Sequence, residues 1–135
     1  MKANPETAAE VRRLLEQFAQ TYGTRKNVEE ILAFFANDDD VTVLGTRQSD
    51  ARSGVEQIRA QVIKDWTGPQ SYAMEIEKCD VSCAGNVAWA SVQMRHTLTG
   101  EGPESTGPAR LTCVLERRNG RWLIMHWHKS RPSGP

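Results

Sequence analysis

The sequence predicts an α+β fold in which three N-terminal helices pack on one face of a curved, mostly antiparallel sheet. Three observations lead there. Apolar residues recur three and four positions apart through most of the first half of the chain, and from Tyr72 onward the period changes to two. Asn119-Gly120 then sits between two β-prone runs, the strongest short hairpin signal a sequence offers. Helices followed by a run of strands is the element order of an α+β domain, and a sheet bent around helices often encloses a pocket.

In the first helix, Ala8, Val11, Leu15, Phe18 and Tyr22 form the apolar stripe, broadened by Leu14 and Ala19. Asn4 is a suitable cap, Pro5 suits the first turn and Gly23 supplies a stop, so the helix should span about Pro5 to Tyr22. Asn27 and Glu30 then resemble a capping box, with Val28, Ile31, Leu32 and Phe35 on one side and an end near Asn37. Val41 to Leu44 is short and β-branched, a first strand, and Gly45 to Arg52 reads as a polar loop. Ser53 and Glu56 make a second capping box, and Val55, Ile58, Val62 and Trp66 keep helical spacing until Gly68-Pro69 breaks it. Two long strands follow, one around Tyr72, Met74 and Ile76 and one over Val87 to Leu98 after a Gly85-Asn86 turn. Gly100 to Pro108 is the loosest loop, and Ala109 to Arg117 pairs with Arg121 to Lys129.

With 135 residues, the chain has the length of one domain, with a core over about 5–130 and a tail at 131–135. A chain this long buries roughly 68–70% of its unfolded surface, so it needs neither disulfide nor structural metal. Seventeen basic residues balance seventeen acidic ones, which argues against nucleic acid as a partner, because no global positive field exists to draw the chain to phosphates. No apolar run approaches the roughly 20 residues that span a bilayer, which argues against a membrane partner. Met1 to Glu10 is polar and lacks a signal-peptide pattern, and an odd cysteine count (Cys79, Cys83, Cys113) suits free thiols in a reducing compartment. A cytoplasmic location is expected.

The order of elements, together with the string Arg110-Leu111-Thr112-Cys113-Val114-Leu115-Glu116-Arg117-Arg118-Asn119-Gly120-Arg121-Trp122 and its continuation His126-Trp127-His128-Lys129-Ser130, resembles the nuclear-transport-factor-2-like superfamily, particularly its SnoaL-like branch. The same ending is similar to the association (hub) domain of calcium/calmodulin-dependent protein kinase II. Phe35-Ala36-Asn37-Asp38-Asp39 and Arg52-Ser53-Gly54 resemble the corresponding segments of ketosteroid isomerases. The resemblance implies a cone-shaped domain, often a homodimer through its sheet, with a largely apolar cavity between sheet and helices. It implies no particular reaction, because members include isomerases, cyclases, dehydratases and assembly modules.

Ketosteroid-type isomerisation needs a carboxylate base and an oxyanion donor. By alignment those positions fall near Leu44 and Phe18, which argues against that reaction. A two-residue turn at Asn119-Gly120 would oppose Leu115 to Ile124, Cys113 to His126 and Leu111 to His128, all on one face. His126 and His128 with Cys113 can in principle ligate a metal, or the thiol can be activated by an imidazole. A hydrogen-bonded wall, in which one histidine orients a ligand or acts as acid or base, is the simpler reading. No metal and no cofactor are expected, and no Gly-rich phosphate loop or Ser/His/Asp signature is present.

The hub domain's pocket arginines align with Gln93 and Cys113; Arg95 and Arg110 are neighbouring alternatives, although Arg110 fits an outer face better. Trp89 and Trp122 are candidates for lining a cavity, whereas Trp127, out of phase with the two histidines, should face a sheet-to-sheet dimer interface. Asp38 to Asp40 reads as a solvated helix exit. The sequence therefore points to a small-molecule pocket protein that binds, or transforms by non-covalent acid–base chemistry, a largely apolar ligand, whether or not it is an enzyme. Its expected pocket is Trp89, Gln93, Arg95, Cys113, Trp122, His126 and His128, with the two histidines as catalytic candidates. The expected partners are that ligand and a second copy of the chain, with a larger homo-oligomer as an extension. The alternative is a non-catalytic association module of the hub type.

Overall fold

A computed structural model describes residues 1–134; Pro135, the end of the expected tail, lies outside the described residues. The first helix, α1 (Pro5–Thr24), begins where Asn4 Oδ1 accepts a hydrogen bond from Thr7 N at 2.8 Å, satisfying a donor the helix cannot satisfy itself. It buries Val11, Leu15 and Phe18 and runs one residue past the Gly23 stop. Arg25 ends it in the left-handed region at φ 54°.

The second helix is shorter than the periodicity suggested. α2 covers only Val28–Leu32, because the backbone beyond it leaves the helix to pair with a strand: Ile124 N donates to Phe34 O at 2.8 Å and Ala36 N to Ile124 O at 3.0 Å. Phe35 remains buried, held by sheet rather than helix geometry. β1 (Thr42–Leu44) follows, and the expected loop after it contains a second short strand, β2 (Ala51–Ser53), that pairs back on β1. α3 (Val55–Thr67) is capped by Gly54 and not by Ser53, and no side chain caps its first turn; in place of the expected Glu56, Gln57 reaches back, its Oε1 accepting from Ser53 N at 2.9 Å. Asp38 is not merely solvated, since Arg118 donates to both its oxygens at 2.8 and 2.5 Å.

Four long strands complete the chain: β3 (Ser71–Ala84), β4 (Val87–Thr99), β5 (Ser105–Arg118) and β6 (Arg121–Ser130). β5 starts four residues earlier than expected and shortens the loop before it. One six-stranded sheet results, in the order β2-β1-β6-β5-β4-β3, antiparallel except where β1 runs parallel to β6. The inner face carries Ala88, Ala90, Val92 and Met94 of β4 and Ala109, Leu111, Cys113 and Leu115 of β5, all buried with residues from the helices in one core.

One irregularity decides which residues face that core. β5 and β6 begin in the register set by the Asn119-Gly120 turn, with Arg118 opposite Arg121 and Leu115 opposite Ile124. The next pair is Val114 with His126, so Met125 is an extra residue on β6. Because side chains alternate strictly along a strand, a bulge of one residue reverses the phase of everything after it. Cys113 therefore opposes Trp127, and His128 opposes Thr112. The expected pairs of Cys113 with His126 and Leu111 with His128 are corrected accordingly. The bulge lies where β6 exchanges its edge partner, from the Phe34–Ala36 segment at Ile124 to β1 from His126 onward.

Candidate functional site

The phase reversal turns Trp127 and Lys129 inward and His126 and His128 outward. Trp127 is 7% exposed, with its ring 4.7 Å from that of Phe18, which corrects the expectation that it faces a partner across the sheet. His126, half-buried, and His128, exposed, sit on the outer face in rows with Thr42 and Leu44 of β1. Cys113 is fully buried on the opposite face, so it cannot join them around a metal, and among the described residues no three metal-ligating side chains converge. Burial also pushes the Cys113 thiol up to about 12, the reverse of activation.

The other expected pocket residues are dispersed for the same geometric reason. Trp89, Gln93 and Arg95 alternate with the buried residues of β4 and so lie on the outer face. Arg110 does likewise on β5, in the outer-face position that seemed the better fit. Trp122 is buried, but as a fastener between hairpin and helix: its Nε1 donates to Glu10 Oε2 at 2.9 Å, and Arg117 both bonds Glu10 at 2.8 Å and covers the indole at 4.7 Å.

A different set of residues lines a cavity of about 170 Å³ between the sheet and the helices. Phe18, Ile31, Phe35, Val43, Ile58, Val62, Met74 and Trp127 make it largely apolar. An apolar cavity of roughly 150 Å³ takes a molecule the size of benzene, so the space fits one ring or a short branched chain. Two polar clusters reach into it.

The first comes from the helices. Tyr22, one turn beyond Phe18 on α1, donates its hydroxyl to Asp65 Oδ2 at 2.6 Å, and Gln61 Nε2 donates to Asp65 Oδ1 at 2.8 Å. Gln61 and Asp65 are four apart on α3 and therefore share a face. Arg52 of β2 donates in turn to Gln61 Oε1. Burial, then the bond to the Asp65 carboxylate, raises the Tyr22 pKa far above its ordinary value, so the hydroxyl remains a proton donor at any physiological pH.

The second cluster comes from the sheet. His96 continues the inward phase of Ala88, Ala90, Val92 and Met94 and is 6% exposed. Its Nδ1 lies 2.6 Å from Lys129 Nζ, and its ring meets Tyr72 edge-on at 5.1 Å. Burial, with the Lys129 and Arg131 charges, lowers His96 to about 4, and burial beside Arg131 lowers Lys129 to about 8. At neutral pH His96 is thus uncharged and accepts a hydrogen bond from the ammonium. Tyr72, 6.4 Å from Tyr22 between ring centroids, joins the two clusters.

The mouth includes Gly45, Arg47 and Asp50. Gly45 N donates to Asp50 O at 2.7 Å, and a Cβ on Gly45 would fall 2.7 Å from that of Asp50, so a larger residue there would push the loop open. The arrangement can hold an uncharged molecule among aromatic walls, donate to or accept from its oxygen, and move a proton near neutral pH. It contains no cluster suited to a metal among the described residues.

None of these polar groups was in the expected site. His96 was detectable, because it shares parity with four small or apolar residues of its strand. Lys129 was hidden by the bulge. Asp65, Gln61 and Arg52 looked like ordinary solvent-facing residues of a helix and loop.

No protein of curated function matches the sequence at a significant level. Among solved structures, an NTF2-like protein of unknown function from Pseudomonas putida KT2440 is 24% identical with a TM-score of 0.79, covering 96% of this chain and 89% of that one. A protein from Xanthomonas campestris, named provisionally as a calcium/calmodulin dependent protein kinase II association domain, is 27% identical with a TM-score of 0.79, over 99% and 96% of the two chains. A member of the NTF2-like family from Streptomyces avermitilis, named provisionally as a dehydratase, is 16% identical with a TM-score of 0.80, over 97% and 100%. The SnoaL-like domain family matches residues 11–134, and with the sheet order and helical layer described above, this chain belongs to the SnoaL-like family of the NTF2-like superfamily.

Proposed function

We propose that this protein binds a small, largely apolar molecule bearing a carbonyl or hydroxyl oxygen and acts on it by acid–base chemistry of the isomerase, cyclase or dehydratase kind. One observation carries the reading: an apolar, ring-sized cavity into which a Tyr–Asp–Gln cluster and a His–Lys pair point from opposite layers. Apolar walls with a few convergent polar groups are the ordinary composition of a ligand site, and displaced pKa values mark residues suited to proton transfer. The Streptomyces relative's provisional name supports this class of chemistry. In this reading His96, Lys129, Tyr22 and Asp65 do the work expected of His126 and His128.

The test is a binding screen of one-ring phenols, ketones and enones by ligand-observed NMR and native mass spectrometry, with Val62→Trp as a cavity-filled control. Binding of at least one class that the control abolishes is the expected result. No binder across the set would remove the reading.

The Xanthomonas relative's provisional name favours a second reading, an association module. In either case the outer sheet face, where Trp89, Val114 and His126 form one half-buried row, is the surface on which two copies would pair as a homodimer. A closed ring larger than a dimer, with no small-molecule binder, would move the weight to assembly. The three free cysteines fit a cytoplasmic setting, and no helix among the described residues is long and apolar enough to cross a membrane.

A further inference from the structure

We propose that Lys129 is a carbonyl-reactive amine, and that the cavity takes an aldehyde or ketone of about one ring, which condenses with Nζ to a Schiff base while His96 moves the proton. The inference rests on the reading of the cavity as a small-molecule site and adds a covalent step to it.

Three structural features point to that role. Lys129 is half-buried and lines the cavity, because the Met125 bulge turns it inward. Among the described residues no carboxylate lies within ion-pair distance of its Nζ; its close polar contact is His96 Nδ1 at 2.6 Å, and the Tyr72 ring lies 5.8 Å from it. A lysine kept for its charge is normally matched to a carboxylate, whereas one desolvated beside a neutral base is suited to act as a nucleophile. The nearby fixed charge is Arg131, of the same sign, and the Asp65 carboxylate is already engaged by Tyr22 and Gln61. The lowering of Lys129 to about 8 follows from these surroundings.

The step balances as a condensation. The Nζ lone pair forms a C–N bond to the carbonyl carbon while a proton passes from nitrogen to the carbonyl oxygen, giving a carbinolamine. Loss of that hydroxyl with one more proton, relayed through His96 Nδ1, gives the C=N bond and one water. No oxidant or reductant is consumed. Taking a proton back on nitrogen gives the iminium, which acidifies the carbon next to the former carbonyl, where isomerisation, cyclisation or dehydration can begin by removing a proton.

The probe is benzaldehyde with cyanoborohydride, which traps the imine as a benzylated lysine located by peptide mass spectrometry. Benzyl alcohol, which binds without condensing, is followed by NMR in parallel. Benzylation of Lys129 should exceed that of the exposed Lys2, Lys26, Lys64 and Lys78 about tenfold or more near neutral pH, because burial lowers Lys129 to about 8. Its rate should rise to a plateau with a midpoint near 8, and His96→Asn should slow it. Lys129→Arg should bind benzyl alcohol and give no adduct at 129; should that variant not fold, the wild-type pH profile decides by itself. If benzyl alcohol binds but Lys129 is labelled no faster than the exposed lysines, the inference is overturned and the pocket reading survives. If neither compound binds, the inference falls, and the pocket reading falls with it only if the screen of phenols, ketones and enones also finds no binder.

Discussion

Lys129 Nζ and His96 Nδ1 lie 2.6 Å apart on strands β6 and β4, each pushed toward its neutral form by burial and by positive neighbours. They cannot both be charged without cost, so the pair makes both stability and chemistry depend on pH.

His96 takes up its proton near pH 4 in the folded chain instead of 6.5. Between those values the unfolded chain binds more protons, so stability increases with pH across the window and is progressively lost as pH falls from 6.5 towards 4. Lys129, lowered from 10.5 to about 8, acts with the same sign at higher pH, adding stability from about 8 to 10.5. Thermal melts from pH 4 to 7 should show a rising midpoint whose slope is smaller in His96→Asn. Equal slopes would mean that His96 does not control acid sensitivity.

Tyr22→Phe removes the hydroxyl that donates to Asp65 at 2.6 Å while keeping the ring contacts with Phe18 and Trp66. Gln61 still bonds the carboxylate, so the loss should be about 1–2 kcal/mol, at the lower end for a hydrogen bond to a charged group. Urea unfolding measures it. An unchanged midpoint would show the bond to be energetically idle.

Arg25 ends α1 and also caps α3: its guanidinium donates to Asp65 O at 3.4 Å and to Trp66 O, carbonyls of the last turn of α3 without internal partners, and just beyond the helix to Gly68 O at 2.7 Å and Gln70 O at 3.0 Å. Arg25→Ala should cost about 2 kcal/mol or more. Arg25→Gly loses the same bonds but relieves the left-handed backbone at φ 54°, so it should be more stable than the alanine variant by about 1 kcal/mol. The reverse order in denaturant melts would contradict the backbone argument.

Cys113 is fully buried and its thiol is pushed up to about 12. A thiol reagent at pH 8 should leave it unmodified in the native protein and react with it only on unfolding, while Cys83, near the β3–β4 turn, reacts first. Fast modification of Cys113 would show that the core around it opens far more readily than its packing implies.

Much of the fold was legible because its determinants are local. The apolar spacing of α1 and α3, the Asn4 cap, the Gly68 break and the Asn119-Gly120 turn each act within a few residues, and together they set the order and class of elements. The string ending in His126-Trp127-His128-Lys129-Ser130 carried the family in the same way, as short-range sequence. The short strand β2 and the early end of α2 were not legible, since both depend on pairing with segments distant in sequence.

The site lay beyond that range. From the turn, alternation correctly followed β6 as far as Ile124, where Trp122 and Ile124 face inward. It failed at Met125, whose insertion accompanies a change of edge partner from the Phe34–Ala36 segment to β1. Two chain segments more than eighty residues apart, such as Thr42 and His126, had to meet before that register was settled. The amino-acid sequence by itself determined which elements form and how the hairpin starts; only tertiary pairing decided that Trp127 and Lys129 line the cavity in place of His126 and His128, because in a strand one added residue reverses the face of every side chain that follows.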